Sequence, residues 1–229
     1  MRRMSVVSLV LLIVLTAAVP SMAKTPDEIL EEAVLVLREI GEQPDAEPMA
    51  NLLKNAHGVA IFPSVIKAGL GLGGRYGEGV ILQLNPKTNT WYGPYFVNMK
   101  GISYGFQIGL QSTALVLVIT NERGMDGLKE GKITLGGSLS IAAGPIGRSA
   151  EAGTDLNLKA SMYSYSISKG AFAGASLEGA VIDNSTSNNL TYWQEKLEPE
   201  EILKKKASGK SIRPLIDELQ SIVKKTQIN

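Results

Sequence analysis

Few side chains in this sequence could carry out chemistry. The chain has no cysteine and a single histidine, His57, which leaves no cysteine nucleophile and too little material for a histidine-rich metal site. No G-x-S-x-G motif accompanies that histidine, so we interpret His57 as a helix-capping or surface residue. Six acidic residues could still supply a glycosidase-like pair if the fold brought two of them together: Glu78, Asp126, Glu151, Asp155, Glu178 and Asp183. Nothing in their spacing favours such a pair, and we predict a non-enzymatic protein without a cofactor or a metal.

A glycine run gives the one pattern that could bind a nucleotide. Residues 69–74 read G-L-G-L-G-G and formally match G-x-G-x-x-G, which cradles a pyrophosphate when a helix follows it. Here Arg75 and a strand-like segment follow, and no helix is offered. Alternate glycines are also typical of strands whose backbones approach closely inside a curved sheet, and we favour that interpretation.

The N-terminal segment has the pattern of a secretory signal peptide. Arg2 and Arg3 precede an apolar run at 6–19, and Ser21 and Ala23 are small residues at the positions that a signal peptidase reads. We predict general secretion, cleavage after Ala23, and a periplasmic or secreted protein. An uncleaved anchor is the alternative, although the run falls short of the roughly 18 to 20 residues that cross a bilayer. A lipoprotein is excluded because acylation needs a cysteine.

Charge and length narrow the class of partner. The 229 residues include 23 basic and 22 acidic side chains, and removing Arg2 and Arg3 leaves 21 basic residues, a net charge of −1. Nucleic acid binding needs a concentrated basic surface, so we predict no nucleic acid partner. Residues 24–229 suit one domain with a hydrophobic core of its own.

The hydrophobic pattern changes twice along residues 24–229. In residues 24–57, a capping box from Thr25 to Glu28 and helical spacing over 29–40 predict an amphipathic helix, and a second helix is predicted near 49–56. In residues 58–191, short β-branched runs punctuated by glycine predict strands at 59–62, 79–84, 91–99, 102–110, 114–120, 132–143, 156–167 and 171–182, with a weak helix at 125–130. Helical spacing returns in residues 192–229, where Pro199 and Pro214 open helices. This order predicts an α+β domain: an antiparallel β-sheet core, sandwich- or barrel-like, flanked by N-terminal and C-terminal helices.

A series of short motifs carries a family resemblance along nearly all of residues 24–229. These motifs are K-A-G at 67–69 with the glycine run, Y-G-E-G at 76–79, W-Y-G-P at 91–94, G-F-Q-I-G at 105–109, G-P-I-G-R at 144–148, and Y-S-Y-S-I-S-K-G at 163–170. In kind and order they closely resemble the SYLF domain family, which includes the Ysc84-type actin-binding domains. The resemblance implies that residues 24–229 form a single SYLF-type domain.

The family resemblance also implies lipid binding, with phosphoinositides the usual ligands of eukaryotic members and actin a further partner of some. For an exported bacterial protein we expect anionic phospholipid headgroups as ligands and an envelope protein as a further candidate partner, and we do not expect actin in this compartment. Basic residues inside or next to matched motifs are the candidate headgroup contacts: Lys67, Arg75, Arg148 and Lys169. The alternative for each is a structural hydrogen bond or a solvated surface position. A structural or protein-interaction role in the periplasm is the alternative function.

Two other surfaces could contact lipid, and the charge pattern argues against both. The helix at 29–40 has an acidic polar face that an anionic membrane would repel, so we predict that it packs on the domain. The lysines at 204–206 lie close to Glu198, Glu200 and Glu201, which oppose their attraction to an anionic surface.

Overall fold

A computed structural model describes residues 23–43, 47–137, 139–144, 160–168, 171–174 and 177–225. Their elements follow in the order α1 (Pro26–Gly41), α2 (Glu47–Lys54), β1 (Gly58–Asn85), β2 (Thr90–Ile119), α3 (Glu122–Lys129), β3 (Lys132–Thr134), β4 (Ile141–Ala143), β5 (Met162–Ser168), β6 (Ala171–Gly174), β7 (Val181–Asn184), α4 (Thr186–Trp193), α5 (Pro199–Ile202) and α6 (Arg213–Lys225). The signal peptide predicted at 1–23 lies outside the described residues except for Ala23.

The sheet is built on one very long antiparallel hairpin. β1 pairs with β2 from Gly58 opposite Ile119 to Asn85 opposite Thr90. The outer edge of β2 then pairs with β7 near its start and with β5 near its end, and β3, β4 and β6 extend the sheet on the two sides. The result is a curled, half-barrel sheet with helices before and after it, and the predicted α+β class is confirmed.

Glycines allow this hairpin to fold back on itself. A Cβ atom on Gly79 would lie 2.5 Å from the Ile61 carbonyl oxygen, and one on Gly73 would lie 2.2 Å from the carbonyl oxygen of Ala68. The Leu84 N–H donates to the carbonyl of His57 at 2.8 Å. The first half of β1 therefore runs antiparallel beside its second half, with no room for side chains at the points of contact. The close backbone approach that we expect of the glycine run is confirmed at Gly73.

Two apolar cores cover the two faces of this sheet. Alternate residues of β1 separate cleanly, since Val59 and Ile61 face one core while Ala60 and Phe62 face the other. The first core is closed by α1, α2 and α6, and the second by α3, α5 and the β3–β7 side of the sheet. Strands that are buried on both faces read as continuous apolar runs, as at 59–62 and 115–119.

Helix α1 shows how far local sequence determines a boundary. The Thr25 hydroxyl accepts a hydrogen bond from the Glu28 N–H at 3.3 Å, and the Glu28 carboxylate accepts one from the Thr25 N–H at 2.7 Å. This is the predicted capping box. The apolar face of α1 is buried in the first core, from Ile29 to Ile40. The expectation that this helix packs on the domain is confirmed.

The structure corrects three details of the predicted elements. The segments predicted as separate strands at 59–62 and 79–84 belong to one strand, β1, and those predicted at 91–99, 102–110 and 114–120 belong to β2 as far as Ile119. Helix α4 starts at Thr186, before the predicted helical boundary at 192, because its polar residues have weak helix propensity and tertiary contacts decide. Strand β4 pairs with β5 in parallel, which departs from the predicted antiparallel sheet. The part of the predicted strand 156–167 that precedes residue 160 lies outside the described residues.

Candidate anion-binding site at the hairpin tip

Two of the four predicted headgroup contacts lie together where the hairpin folds over. We call residues 66–76 of β1 and 100–112 of β2, where the paired strands fold over, the hairpin tip, and the rest of the two strands the base of the sheet. The turn that connects β1 to β2 belongs to the base. Lys67 lies opposite Gln111, and Arg75 lies opposite Gly101. Strand alternation from Val65, a member of the second core, places Lys67 on the face of that core. The tip therefore holds two basic residues just beyond the edge of the second core.

Arg75 is held by its aliphatic stem. A Cβ atom on Gly101 would lie 3.2 Å from Arg75 Cγ and 3.3 Å from the Cα of Ala180, a second-core residue. The Arg75 side chain thus lies across the glycine opposite it, which a larger residue at position 101 would prevent. Sequence reasoning did not single out Gly101, although a glycine opposite a basic residue in a hairpin is the signal for such packing.

Arg75 is half-buried, and two of its guanidinium nitrogens have no hydrogen-bond partner among the described residues. Its Nη2 donates to the Ile102 carbonyl at 3.5 Å, which is at the outer limit of a hydrogen bond. Its Nε and Nη1 are buried and make no hydrogen bond within the part of the chain that the structure describes. Unsatisfied buried donors on a permanent cation are costly, and an anion beside the guanidinium would offset part of this cost.

Electrostatics at the tip disfavour the two charges in the absence of an anion. Burial, and then the positive charge of Arg75, lower the pKa of Lys67. Burial also lowers the pKa of Arg75, which nonetheless remains a cation at any physiological pH. Two like charges that are brought together and partly desolvated repel each other, and a phosphate between them would reverse this effect.

The other predicted site residues are placed elsewhere or are not described. Arg148 and Lys169 lie outside the described residues, and so do Glu151 and Asp155 of the possible carboxylate pair. Three other members of that set have different partners: Glu78 accepts from the Lys24 N–H at 3.1 Å, Asp126 pairs with Lys129 at 2.8 Å, and Asp183 pairs with Lys100 at 2.9 Å. Glu178 is exposed.

His57 lies at the opposite end of the sheet from Lys67 and Arg75. It is half-buried and directly precedes β1, where its backbone N–H donates to the carbonyl of Ile119 at 2.7 Å. Beside it is an open cleft of about 600 Å³, which Gln83, Asp126 and Lys204 also line. Side chains of opposite charge alternate around this cleft, so it lacks the uniform positive charge of an anion site.

The C-terminal lysines are engaged with their own neighbourhood. Lys204 pairs with Glu200 at 2.7 Å, and the Lys205 ammonium lies 5.5 Å from the centre of the Trp193 ring. This agrees with the expectation that nearby acidic residues weaken this cluster. Within the described residues, no helix combines the length and the apolar character that a membrane span requires.

Sequence comparison relates the chain to known proteins. Residues 100–222 match the Ysc84 family model, described as Las17-binding protein actin regulator. The chain is 36% identical over 172 residues to human SH3 domain-containing YSC84-like protein 1. This alignment covers 72% of this chain and 50% of the human protein. It is 34% identical over 208 residues to the Xenopus laevis protein of that name, covering 88% and 60%. It is 36% identical over 182 residues to Protein YSC84 of Saccharomyces cerevisiae, covering 78% and 38%.

The chain therefore spans between about two fifths and three fifths of the length of these relatives. The family match extends over more than half of the chain, from residue 100 within β2 through the smaller strands and most of α6. The resemblance that the motif series indicated is confirmed, and this chain belongs to the Ysc84 family, the Las17-binding protein actin regulators with a SYLF domain.

Proposed function

We propose that this protein is a non-enzymatic module that binds anionic phospholipid headgroups through the hairpin tip. The observation that carries the proposal is the Arg75 guanidinium, which has two buried nitrogen donors without a hydrogen-bond partner among the described residues and Lys67 close by. A phosphate group suits this pair, because a guanidinium and an ammonium both make charge-assisted hydrogen bonds with phosphate. Headgroup binding would place an anion beside two partly desolvated cations that otherwise repel each other.

The cellular setting is part of the same proposal. The leader-like segment at 1–23 supports export, so the protein would act in a bacterial cell envelope, periplasmic or secreted. There the accessible anionic lipids are phosphatidylglycerol, cardiolipin and lipopolysaccharide. Arg148 and Lys169 remain predicted contacts of the same headgroups, on the strength of the motifs in which they occur.

Vesicle sedimentation tests the proposal. We expect the wild-type chain to bind phosphatidylglycerol-containing vesicles in a salt-sensitive manner and to bind phosphatidylcholine vesicles more weakly. The double variant Lys67→Gln, Arg75→Gln should bind anionic vesicles roughly thirtyfold more weakly, since each charge near an anionic leaflet contributes about 1 kcal/mol. The full-length chain and a form beginning at Lys24 should be compared, so that the apolar run at 6–19 does not decide the result.

A matched control removes the same charge at a distant place. Lys54→Gln, Lys87→Gln neutralises one lysine on α2 and one in the turn between β1 and β2, at the other end of the hairpin. This variant should bind anionic vesicles nearly as well as the wild type. Equal losses in the two double variants would show that net charge, not the tip, governs binding. No binding of the wild type to either vesicle would refute the proposal.

Protein interaction is the second candidate, and the family assignment favours it. The family description names Las17 binding and actin regulation, so a protein-binding surface is a function that this chain could share. Cosedimentation with filamentous actin and capture of envelope proteins test it. A wild-type chain that fails to bind vesicles but sediments with actin or retains one defined envelope protein would establish this candidate in place of lipid binding.

A further inference from the structure

The hairpin tip also exposes apolar side chains that the packing of the rest of the sheet does not explain. Three residues at this level of the sheet are unusually exposed for their type: Ile102 at 61%, Tyr76 at 44% and Ile66 at 38%. The base of the sheet, in contrast, buries its large apolar side chains almost completely. Exposed apolar side chains that share one surface make that surface a candidate for contact with something other than water.

The three residues share one face of the tip. Ile66 directly precedes Lys67, Tyr76 directly follows Arg75, and Ile102 directly follows Gly101. Successive side chains of a strand point to opposite faces, so these residues lie on the face opposite the two cations. Their strands are adjacent, since a Cβ atom on Gly77 would lie 3.2 Å from the Cα of Val65, and Ile102 lies opposite Gly74.

Helix α1 covers this face at the base but stops short of the tip. The residue before its N-cap is anchored beside the sheet, where the Lys24 backbone N–H donates to the Glu78 carboxylate at 3.1 Å. Ile66, Tyr76 and Ile102 lie farther along the sheet than Glu78 or its partner Asn98. The first core therefore ends near Glu78, and the three exposed residues continue its face into the open.

We infer that the hairpin tip enters a lipid interface edge first, with Ile66, Tyr76 and Ile102 among the acyl chains and Lys67 and Arg75 at the phosphates. Cationic and apolar side chains occupy the same levels of the strands, which suits a boundary where both phosphate and hydrocarbon are within reach. Tyrosine is suited to that boundary because its ring is apolar and its hydroxyl is polar. A lipid surface is favoured over a protein partner because the apolar group and the two cations lie at the same level of the sheet, and neither cation has an acidic partner among the described residues.

This inference rests on the proposed headgroup binding, and one set of variants separates the two. Ile66→Ser, Ile102→Ser removes apolar area and leaves both cations in place. Leu35→Ser is the matched control, because Leu35 on α1 is 61% exposed, as Ile102 is. Binding to phosphatidylcholine–phosphatidylglycerol vesicles is measured at low and high salt. At high salt, where attraction between charges is screened, the tip variant should bind about tenfold more weakly than the wild type.

Depth is measured directly with Tyr76→Trp. Vesicles whose acyl chains carry bromine should quench the new tryptophan, against the background of Trp91 and Trp193 measured in the wild type. Quenching together with the loss caused by the serine variant, but not by Leu35→Ser, supports insertion. The opposite result would have three parts: the wild type binds, Lys67→Gln, Arg75→Gln weakens binding, and Ile66→Ser, Ile102→Ser binds normally without quenching of the tryptophan at position 76. In that case headgroup binding stands and insertion is wrong. If the wild type binds no vesicle, both fail.

Discussion

The base and the tip of the long hairpin are made from the same two strands, yet they differ in what covers them. At the base, helices and smaller strands bury both faces, and Phe62, Ile81 and Phe96 are completely inaccessible. At the tip, Ile102 and Tyr76 are exposed, and Arg75 has buried nitrogen donors without partners among the described residues. Stability and the proposed binding are thus assigned to successive segments of one ribbon. The buried base holds the two strands in place, and the tip extends beyond it with exposed apolar side chains and polar groups that are unpaired among the described residues.

The most severe test of this division of roles is to overpack the base. Gly79→Val should destabilise the protein by more than about 3 kcal/mol, because even its Cβ would lie 2.5 Å from the Ile61 carbonyl oxygen and from Phe62 Cδ1. The free energy of unfolding is measured by urea denaturation. Gly74→Val should cost little, because at this tip position a Cβ atom would have nothing within 4 Å. Similar losses in the two variants would mean that the close approach at the base is not what requires glycine.

A second test removes a polar support of the base. The Asn189 side chain accepts from the Phe96 N–H at 2.9 Å and donates to the Phe96 carbonyl at 2.8 Å, in a buried setting. Asn189→Ala leaves both backbone groups without these partners and should cost about 2 to 3 kcal/mol of stability. Thermal and urea unfolding measure the loss. Vesicle binding by the folded fraction should be unchanged, and a selective loss of binding without destabilisation would contradict the separation of roles.

A third test compares neighbours within the tip. Gly73→Val should cost about 1 to 2 kcal/mol, because a Cβ at that position would lie 2.2 Å from the Ala68 carbonyl oxygen. The expected cost is lower than for Gly79→Val because Gly73 is only half-buried, whereas Gly79 is buried. Hydrogen exchange of the tip amides reports whether the strain stays local. Gly74→Val is again the control. Equal tolerance of valine at both positions would indicate that the two halves of β1 separate readily at the tip.

The smallest effect on stability is expected at Lys67, where the direction in which stability changes with pH is more informative than the size of the change. Because the pKa of Lys67 is lowered on folding, the unfolded chain binds more protons between that value and the ordinary lysine value of 10.5, so stability should rise with pH through this window. Lys67→Met should abolish this rise and leave stability at neutral pH unchanged or slightly higher.

Binding should show the opposite pH trend. Affinity for anionic vesicles should fall as the pH rises through the lowered pKa of Lys67, because the ammonium charge that faces the phosphate is lost. Lys67→Arg should bind without this alkaline loss. A clear loss of stability in Lys67→Met at neutral pH would identify Lys67 as a structural residue and not as a binding one.

Local and repetitive features of this protein could be predicted from its sequence alone. The capping box of Thr25 and Glu28 specifies its own hydrogen bonds within one helical turn, and α5 and α6 start at or next to Pro199 and Pro214. Tyr163 and Tyr165 are two positions apart in β5, so strand alternation predicts that they share a face, and both are buried in the first core. The family was also readable, because its motifs are short and follow a fixed order. Two of the proposed contacts, Arg148 and Lys169, remain predictions from those motifs.

The arrangement of the two halves of the long hairpin, in contrast, depends on tertiary structure. Lys67 and Arg75 are eight positions apart in the sequence, and the charge of Arg75 acts on Lys67 because β1 folds back on itself. No local pattern shows this fold, since it depends on close approaches of glycines to carbonyl groups elsewhere in β1. The same holds for Ile66, Tyr76 and Ile102, whose apolar character would predict burial on any strand. Their exposure follows from the part of the sheet over which α1 lies, since the helix begins near Glu78, and the placement of a helix on a sheet is a property of packing between distant segments.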